Sequence, residues 1–294
     1  MLEKTGKVRS GSKTKTRVRV VEDGRARVKS DHLATEEPME IRLVTGGKRQ
    51  TVAVTMRTPG ADFELAAGFL YGEGIVSSRD EIAKISYCVD ADIDAEQRYN
   101  IVNVELRGGR EYDLRSLERH FYTTSACGVC GKASLEQLEL RGCPVVVGPG
   151  PEVSAGTIYG LPGKLREAQG LFEATGGLHA AALFDSTGNL LALREDVGRH
   201  NATDKLVGWA LLGGKLPLSE NIVMVSGRSS FEILQKCLTA GAAIVCAVSA
   251  PSSLAVDVAR EFGMTLVGFL RGGRFNTYAG FDRIRVEKGT ESAK

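Results

Sequence analysis

The sequence predicts an α/β protein: a C-terminal series of strands and helices behind a smaller, β-rich N-terminal part. Three observations carry this. Short apolar, β-branched runs at 222–225, 243–248 and 264–270 alternate with helical patterns at about 229–240 and 252–262. Continuous runs of that length fit strands buried on both faces, and a βαβ series usually lies parallel with right-handed crossovers. The N-terminal third instead shows paired strand patterns, and a chain that is 43% hydrophobic and 25% charged can bury a sizeable core.

Taken in order, residues 39–45 and 50–56 read as strands joined by the hairpin signal Thr45-Gly46-Gly47-Lys48. Pro59-Gly60 turns the chain, Asp62 caps a helix through Tyr71, and Gly72 and Gly74 end it. Residues 82–88 and 99–106 look like two further strands. A Gly/Ser/Thr-rich segment follows, then the Gly/Pro cluster Gly142 to Pro151, a candidate subdomain boundary, and a helix of about 153–172. Ala180–Asp185 and Leu190–Arg194 form strands around a Ser-Thr-Gly-Asn turn, and Asn201–Leu212 is helical, stopping at Gly213-Gly214.

Charge is unevenly spread. Residues 1–30 hold ten Lys or Arg against three acids, a net +7, while the remaining 28 basic and 33 acidic residues leave −5. The body has no basic bias, so the fold is not read as a nucleic-acid binder. Residues 1–36 read by composition as a disordered, solubilising tail, with the ordered domain at 37–294. No apolar run reaches transmembrane length and no h-region follows the basic start, which places the chain in the cytoplasm. Of the six cysteines, Cys237 lies within a helical pattern and Cys246 within an apolar run. Both read as buried, unreactive thiols.

Two strand-to-helix turns resemble each other: Ser226-Gly227-Arg228-Ser229-Ser230 and Ser249-Ala250-Pro251-Ser252-Ser253. Each sets hydroxyls and N–H groups at a helix N-terminus, where anions bind well. The third strand ends in Phe269-Leu270-Arg271-Gly272-Gly273-Arg274. Ligands gather at the carboxyl ends of parallel strands, so the three loops should share one edge, with Arg228, Arg271 and Arg274 cradling a polyphosphate such as a nucleotide. The simpler reading is that Ser229 and Ser252 only cap helices.

Cys127 and Cys130 stand in the run Thr124-Ser125-Ala126-Cys127-Gly128-Val129-Cys130-Gly131-Lys132. Small neighbours leave the loop open to a partner. A helix at about 132–140 and Lys132 both favour thiolate, the form that exchanges sulfur. A closed zinc site needs four ligands, and Cys143, His120 and Cys88 complete one only by unusual spacing. A thioredoxin-type pair belongs beside a βαβ unit, and none is near. Zinc deaminase chemistry is excluded: His179-Ala180-Ala181 lacks the Glu of His-x-Glu, and the cysteine pair comes earlier rather than later, with no proline before it.

These blocks, in order, resemble the formate dehydrogenase accessory sulfurtransferases, the FdhD family. The resemblance runs from about Arg57 to Tyr278. It rests on Arg57-Thr58-Pro59-Gly60 with Phe63 to Leu70, the cysteine loop, Thr175 to His179, and Glu195-Asp196-Val197-Gly198-Arg199-His200-Asn201 with Asp204-Lys205. The remaining blocks are Ser226-Gly227-Arg228 with Phe231-Glu232, Ser249 to Ser253, and Gly268 to Arg274. The resemblance implies a cytidine-deaminase-like mixed sheet flanked by helices, without deaminase activity. It implies a persulfide relay, with a cysteine desulfurase as donor and molybdenum bis(molybdopterin guanine dinucleotide) as cargo bound for formate dehydrogenase. It also implies a homodimer. By match to the motif, Cys127 carries the persulfide and Cys130 is its neighbour, although local electrostatics would as readily favour Cys130. The family's cofactor-binding stretch falls on Phe269, Leu270, Arg271, Gly272, Gly273 and Arg274. Some members have Lys-Pro where this chain has Arg271-Gly272.

His179 and His200 sit in Gly-rich or polar blocks and are candidates to line the site. Asp196, Arg199 and Asp204 read as loop-holding ion pairs. Trp209, Phe231 and the Phe63–Leu70 block read as packing. Two alternatives remain: a zinc-stabilised cofactor-binding chaperone without sulfur chemistry, and a disulfide oxidoreductase. No membrane or nucleic-acid partner is expected.

Overall fold

The computed structural model describes residues 10–94, 97–107, 138, 145–146 and 150–286. The cysteine loop with Cys127 and Cys130, Cys143, the helix expected at about 132–140 apart from a helical, buried Leu138, and most of the 142–151 boundary lie outside the described residues.

The first element corrects an expectation. Residues 13–34 are a hairpin, β1 (Lys13–Glu22) and β2 (Arg25–Ala34), paired antiparallel over ten rungs. Composition suggested disorder, but two local signals outweigh it. Thr14, Thr16, Val18 and Val20 alternate with cations at the period of a strand. Asp23-Gly24 adopts positive φ at both positions (51° and 74°), as a tight hairpin turn requires. The base is tied down: Ser12 Oγ donates to Pro59 O (2.7 Å), and Thr35 N donates to Ser12 O (3.0 Å).

β3 (Glu37–Thr45) and β4 (Lys48–Arg57) form the expected hairpin around Gly46 and Gly47. With β5 (Ile82–Tyr87) and β6 (Ile101–Leu106) they make a four-stranded sheet in the order β4-β3-β6-β5. Helix α1 (Asp62–Gly72) buries Leu65, Ala66, Ala67 and Leu70 in a core shared with that sheet. Its N-cap is Ala61, held in the left-handed region (φ 54°), and not the expected Asp62, whose carboxylate is engaged elsewhere.

After the short strand β7 (Val153–Ser154), the helix expected over 153–172 is two helices, α2 (Ala155–Ala168) and α3 (Gly170–Thr175). Gln169 leaves helical geometry (ψ 68°) ahead of Gly170, a poor helix former. The Glu195 carboxylate accepts from Leu171 N (3.1 Å) and Phe172 N (2.8 Å) and so starts the second helix separately.

The C-terminal sheet has six strands in the order β13-β12-β11-β10-β8-β9. β8 (His179–Phe184) and β9 (Leu190–Asp196) form an antiparallel pair; β10 (Ile222–Val225), β11 (Ile244–Ala247) and β12 (Thr265–Arg271) are parallel. The third strand therefore leads not into an open loop but through Gly272-Gly273, both at positive φ, into an unforeseen strand β13 (Arg274–Ala279). A two-strand bridge of β14 (Ile284–Arg285) with β7 closes the fold.

Helix α4 (Arg199–Leu212) lies between α1 and the large sheet and is buried on nearly all sides. Glycines permit its closeness to α1. A Cβ added at Gly208 would stand 1.8 Å from Glu64 O, and one at Gly68 1.9 Å from Asp204 O. Helices α5 (Phe231–Thr239) and α6 (Ser253–Glu261) cover the same face of the sheet. Among the described residues no helix is long and apolar enough to cross a membrane.

Candidate functional site

Strand direction decides which residues meet. The carboxyl ends of β10, β11 and β12 lie at one edge. β8 runs antiparallel to β10, so its first residue, His179, lies at that edge, and His179 pairs with Asp196 at the end of β9. One edge thus gathers Asp196 to His200, Ser226 to Ser230, Ser249 to Pro251 and Phe269 to Arg274. Thr58 joins them: its N–H donates to Asp196 Oδ2 (3.1 Å), and Val197 N donates to Thr58 Oγ1 (3.2 Å).

Below this edge the charges are mutually satisfied. Lys205 Nζ stands 2.6 Å from Asp196 Oδ2 and donates to Thr58 O (2.9 Å) and Glu195 O (3.2 Å). Asp196 also accepts from Gly198 N (2.8 Å) and Asn201 Nδ2 (3.2 Å). Both charges are buried, so they need such partners. Arg57 Nε pairs with Asp62 Oδ1 (3.2 Å), while Asp62 Oδ2 accepts from Tyr87 Oη (2.9 Å). Lys236 Nζ meets Asp204 Oδ1 at 2.7 Å; burial works against its charge, yet Asp204 and Glu73 hold its pKa above the usual value. Asp196 and Asp204 thus hold structure through ion pairs, as expected, and the Phe63–Leu70 block packs. The partners Lys205 and Lys236 were missed, because nothing in a sequence marks a lysine as buried.

The hydroxyls of the two similar turns divide their labour. Ser226 Oγ accepts from Ala180 N (2.9 Å), fastening β10 to β8. Ser252 Oγ accepts from Ala255 N (3.3 Å) and caps α6, which is the simpler reading of that residue. Ser229 does not cap: Ser230 is the N-cap of α5, and Ser229 Oγ is fully buried with no hydrogen-bond partner among the described residues. Arg199 Nε is a second such atom, and among the described residues Arg199 shows no ion pair of the kind expected of it. His179 Nδ1 and Arg199 Cδ lie 3.4 and 3.9 Å from where a Cβ on Gly227 would stand, so the glycine lets both side chains close over the turn. Burial, then the Arg199 charge, pushes the His179 pKa below its usual value, leaving a neutral ring at pH 7.

The N-terminus of α5 is not an open anion site. Glu232 lies there, beside His200 (3.8 Å). The His200 ring beside it, opposed by burial and reinforced by Ser230 and Glu232's own N–H, lowers its carboxyl to about 2. His200 is therefore a partner of Glu232 and Ser230 on the edge.

Of the remaining candidates, Arg228, Arg271, Gly272, Gly273 and Arg274 are exposed, and nothing lies within 4 Å of a Cβ built on either glycine. Phe269 is half-buried at φ 52°, in a bulge that lets its N–H reach Ser249 O (3.1 Å). Leu270 is 1% exposed in the core, so only its backbone can serve a ligand. Cys237 and Cys246 are core thiols whose burial raises them to about 12.

Among the described residues this edge presents the exposed Arg228, Arg271 and Arg274, open glycine backbone at 272 and 273, and two buried polar atoms without hydrogen-bond partners, Ser229 Oγ and Arg199 Nε. A mixed-sheet α/β fold with such an edge, in a sequence that also carries the Cys127/Cys130 pair, defines the class. The chain belongs to the FdhD/NarQ family, whose model matches residues 34–285. It is 51% identical over 267 residues to the sulfur carrier protein FdhD of Streptomyces coelicolor, covering 90% of this chain and 93% of that one. The protein of the same name from Sulfurisphaera tokodaii is 46% identical over 257 residues, 87% and 93% of the two chains. A crystal structure from Desulfotalea psychrophila, named as a formate dehydrogenase accessory protein, superposes with a TM-score of 0.71 at 25% identity, covering 93% of this chain and 99% of that one.

Proposed function

We propose that this chain carries sulfur as a cysteine persulfide and delivers it to molybdenum bis(molybdopterin guanine dinucleotide) before that cargo enters formate dehydrogenase. The observation that carries the reading is the extent of the family match. It spans 34–285 and so takes in both the Cys127/Cys130 pair and the four segments that the fold gathers on one edge. The relatives' name, sulfur carrier, supports the chemistry, and the neighbour's name supports the destination.

In this reading a thiolate of the pair attacks the outer sulfur of a persulfide on a cysteine desulfurase. The new S–S bond forms on the carrier and the donor cysteine leaves as thiolate. Cys127 is the carrier and Cys130 its neighbour in the relay. Arg228, Arg271 and Arg274, with the backbone of Phe269 to Gly273, bind the guanine-nucleotide end of the cargo. Ser229 Oγ and Arg199 Nε are the buried groups that fit an anionic oxygen there. The carrier works in the cytoplasm as a homodimer, with no membrane or nucleic-acid partner.

Formate dehydrogenase maturation tests the reading. A Cys127→Ala chain should leave the dehydrogenase inactive although its protein accumulates. Normal maturation with that variant would remove Cys127 from the role. Cys130→Ala should impair maturation without a fixed outcome for the outer sulfur.

A further inference from the structure

The β1–β2 hairpin carries a feature that sulfur chemistry does not use. Side chains alternate across a strand, and cross-strand partners share a face. The register therefore puts Lys13, Lys15, Arg17 and Arg19 on one face, together with Val21 and Val28 near the tip. No Asp or Glu falls on that face. Every residue on it is exposed except Ala34, with Val21 66% and Val28 69% accessible. The opposite face answers its own charges: Glu22 and Asp31 lie among Arg25, Arg27 and Lys29, and Arg27 Nη2 meets Glu22 Oε2 at 2.8 Å. Lysines that merely protect a sheet edge need no such sorting. Among the described residues β1 pairs only with β2, so its outer edge keeps free backbone donors and acceptors. The hairpin is anchored through its base and through β2 against α3, which leaves the edge of β1 for a third strand.

We propose that this face and edge receive an extended acidic segment of a partner protein, added as a strand beside β1. Such a strand repeats its same-face side chains every ~6.8 Å, as β1 does. Acids at every second position would therefore stand opposite Lys13, Lys15, Arg17 and Arg19, with an apolar residue against Val21 and Val28. This mode gives affinity through backbone bonds and specificity through alternate side chains.

Other occupants fit less well. The hairpin has no Phe, Tyr or Trp on which bases could stack. Glu22 and Asp23 stand at the tip, where they repel phosphates and oppose entry into an anionic membrane. The chain's own alternating acids, Asp90, Asp92 and Asp94, are not an extended strand. Asp90 is held by Arg49 and by Arg42 (3.7 Å), and Ile93 N turns back to Asp90 O (3.3 Å). Among the described residues a second copy therefore does not offer the segment.

The test uses the full chain and fluorescence anisotropy with three labelled probes: a short peptide alternating Asp with Thr, its isomer with the Asp residues in one block, and oligothymidylate of equal charge. The alternating peptide should bind tightest. Lys15→Glu with Arg17→Glu should weaken it roughly tenfold or more, and the Gln pair, which preserves the strand, by roughly threefold. Arg27→Glu with Lys29→Glu, the same charge change on the other face, should leave it within about twofold. Equal affinity for the blocked peptide, equal loss from either face, tighter binding of the oligonucleotide, or hairpin-dependent self-association that the peptide does not displace would each overturn the proposal.

Discussion

Two charged regions lie side by side in this molecule and are built on opposite rules. In the hub beneath the edge, Asp196, Lys205, Arg57, Asp62, Asp204 and Lys236 are buried and answered by one another. Above it, Arg228, Arg271 and Arg274 are exposed, and Ser229 Oγ and Arg199 Nε are buried without hydrogen-bond partners among the described residues. The same sequence blocks supply both: Asp196 belongs to the hub, while Arg199, three residues on, belongs to the edge. A buried polar residue in a family block thus either meets an ion partner, as Arg57 and Asp204 do, or is left without a partner among the described residues, as Ser229 Oγ and Arg199 Nε are. The hub holds α1, α4 and β9 so that the edge can stay incomplete.

The comparison can be broken most forcefully at the hub. Asp196→Ala would leave the Lys205 ammonium buried without its counter-ion, which costs about 3–5 kcal/mol. A fall of many degrees in melting temperature is expected, and an unchanged one would mean the pair does not hold the fold. Gly208→Ala comes next. Its methyl would meet Glu64 O and force α1 and α4 apart, at about 1–3 kcal/mol or more; thermal melting reads this too. At the edge the effects should reverse. Arg274→Ala should weaken guanine-nucleotide binding roughly 3- to 30-fold, the loss of one charge-assisted hydrogen bond, while the melting temperature stays put. An unchanged dissociation constant by calorimetry would remove that loop from the receptor.

The smallest effect concerns Glu232, which belongs partly to each region. Its carboxyl is lowered from an ordinary 4.5 to about 2. It therefore stabilises the fold fully above pH 4.5, and that contribution is lost as pH falls towards 2. In Glu232→Gln, the urea midpoint should decline less between those pH values than in the parent. Parallel curves would show that the His200 contact does not persist in solution.

Much of the fold was legible because period and punctuation agreed. The three buried strands, the Gly46-Gly47 hairpin and the glycine stop of α4 were read close to their observed limits. The N-terminal hairpin was not, because composition was weighed above alternation and the Asp23-Gly24 turn. The break at Gln169 escaped because it depends on Glu195, a residue distant in sequence. At the site, the shared edge followed from parallel topology. The arrival of His179 there did not, since it requires β8 to run against β10. Nor does any sequence pattern reveal that Ser229 is left unsatisfied or that Glu232 takes the α5 N-terminus.

Intact and peptide mass spectrometry after incubation with a cysteine desulfurase and cysteine tests the sulfur-carrying claim most directly. The account predicts one added sulfur, removable by reductant and mapped to Cys127, that is absent in Cys127→Ala. Stoichiometric zinc bound to the chain with no sulfur gained would contradict it and favour a zinc-stabilised cofactor chaperone.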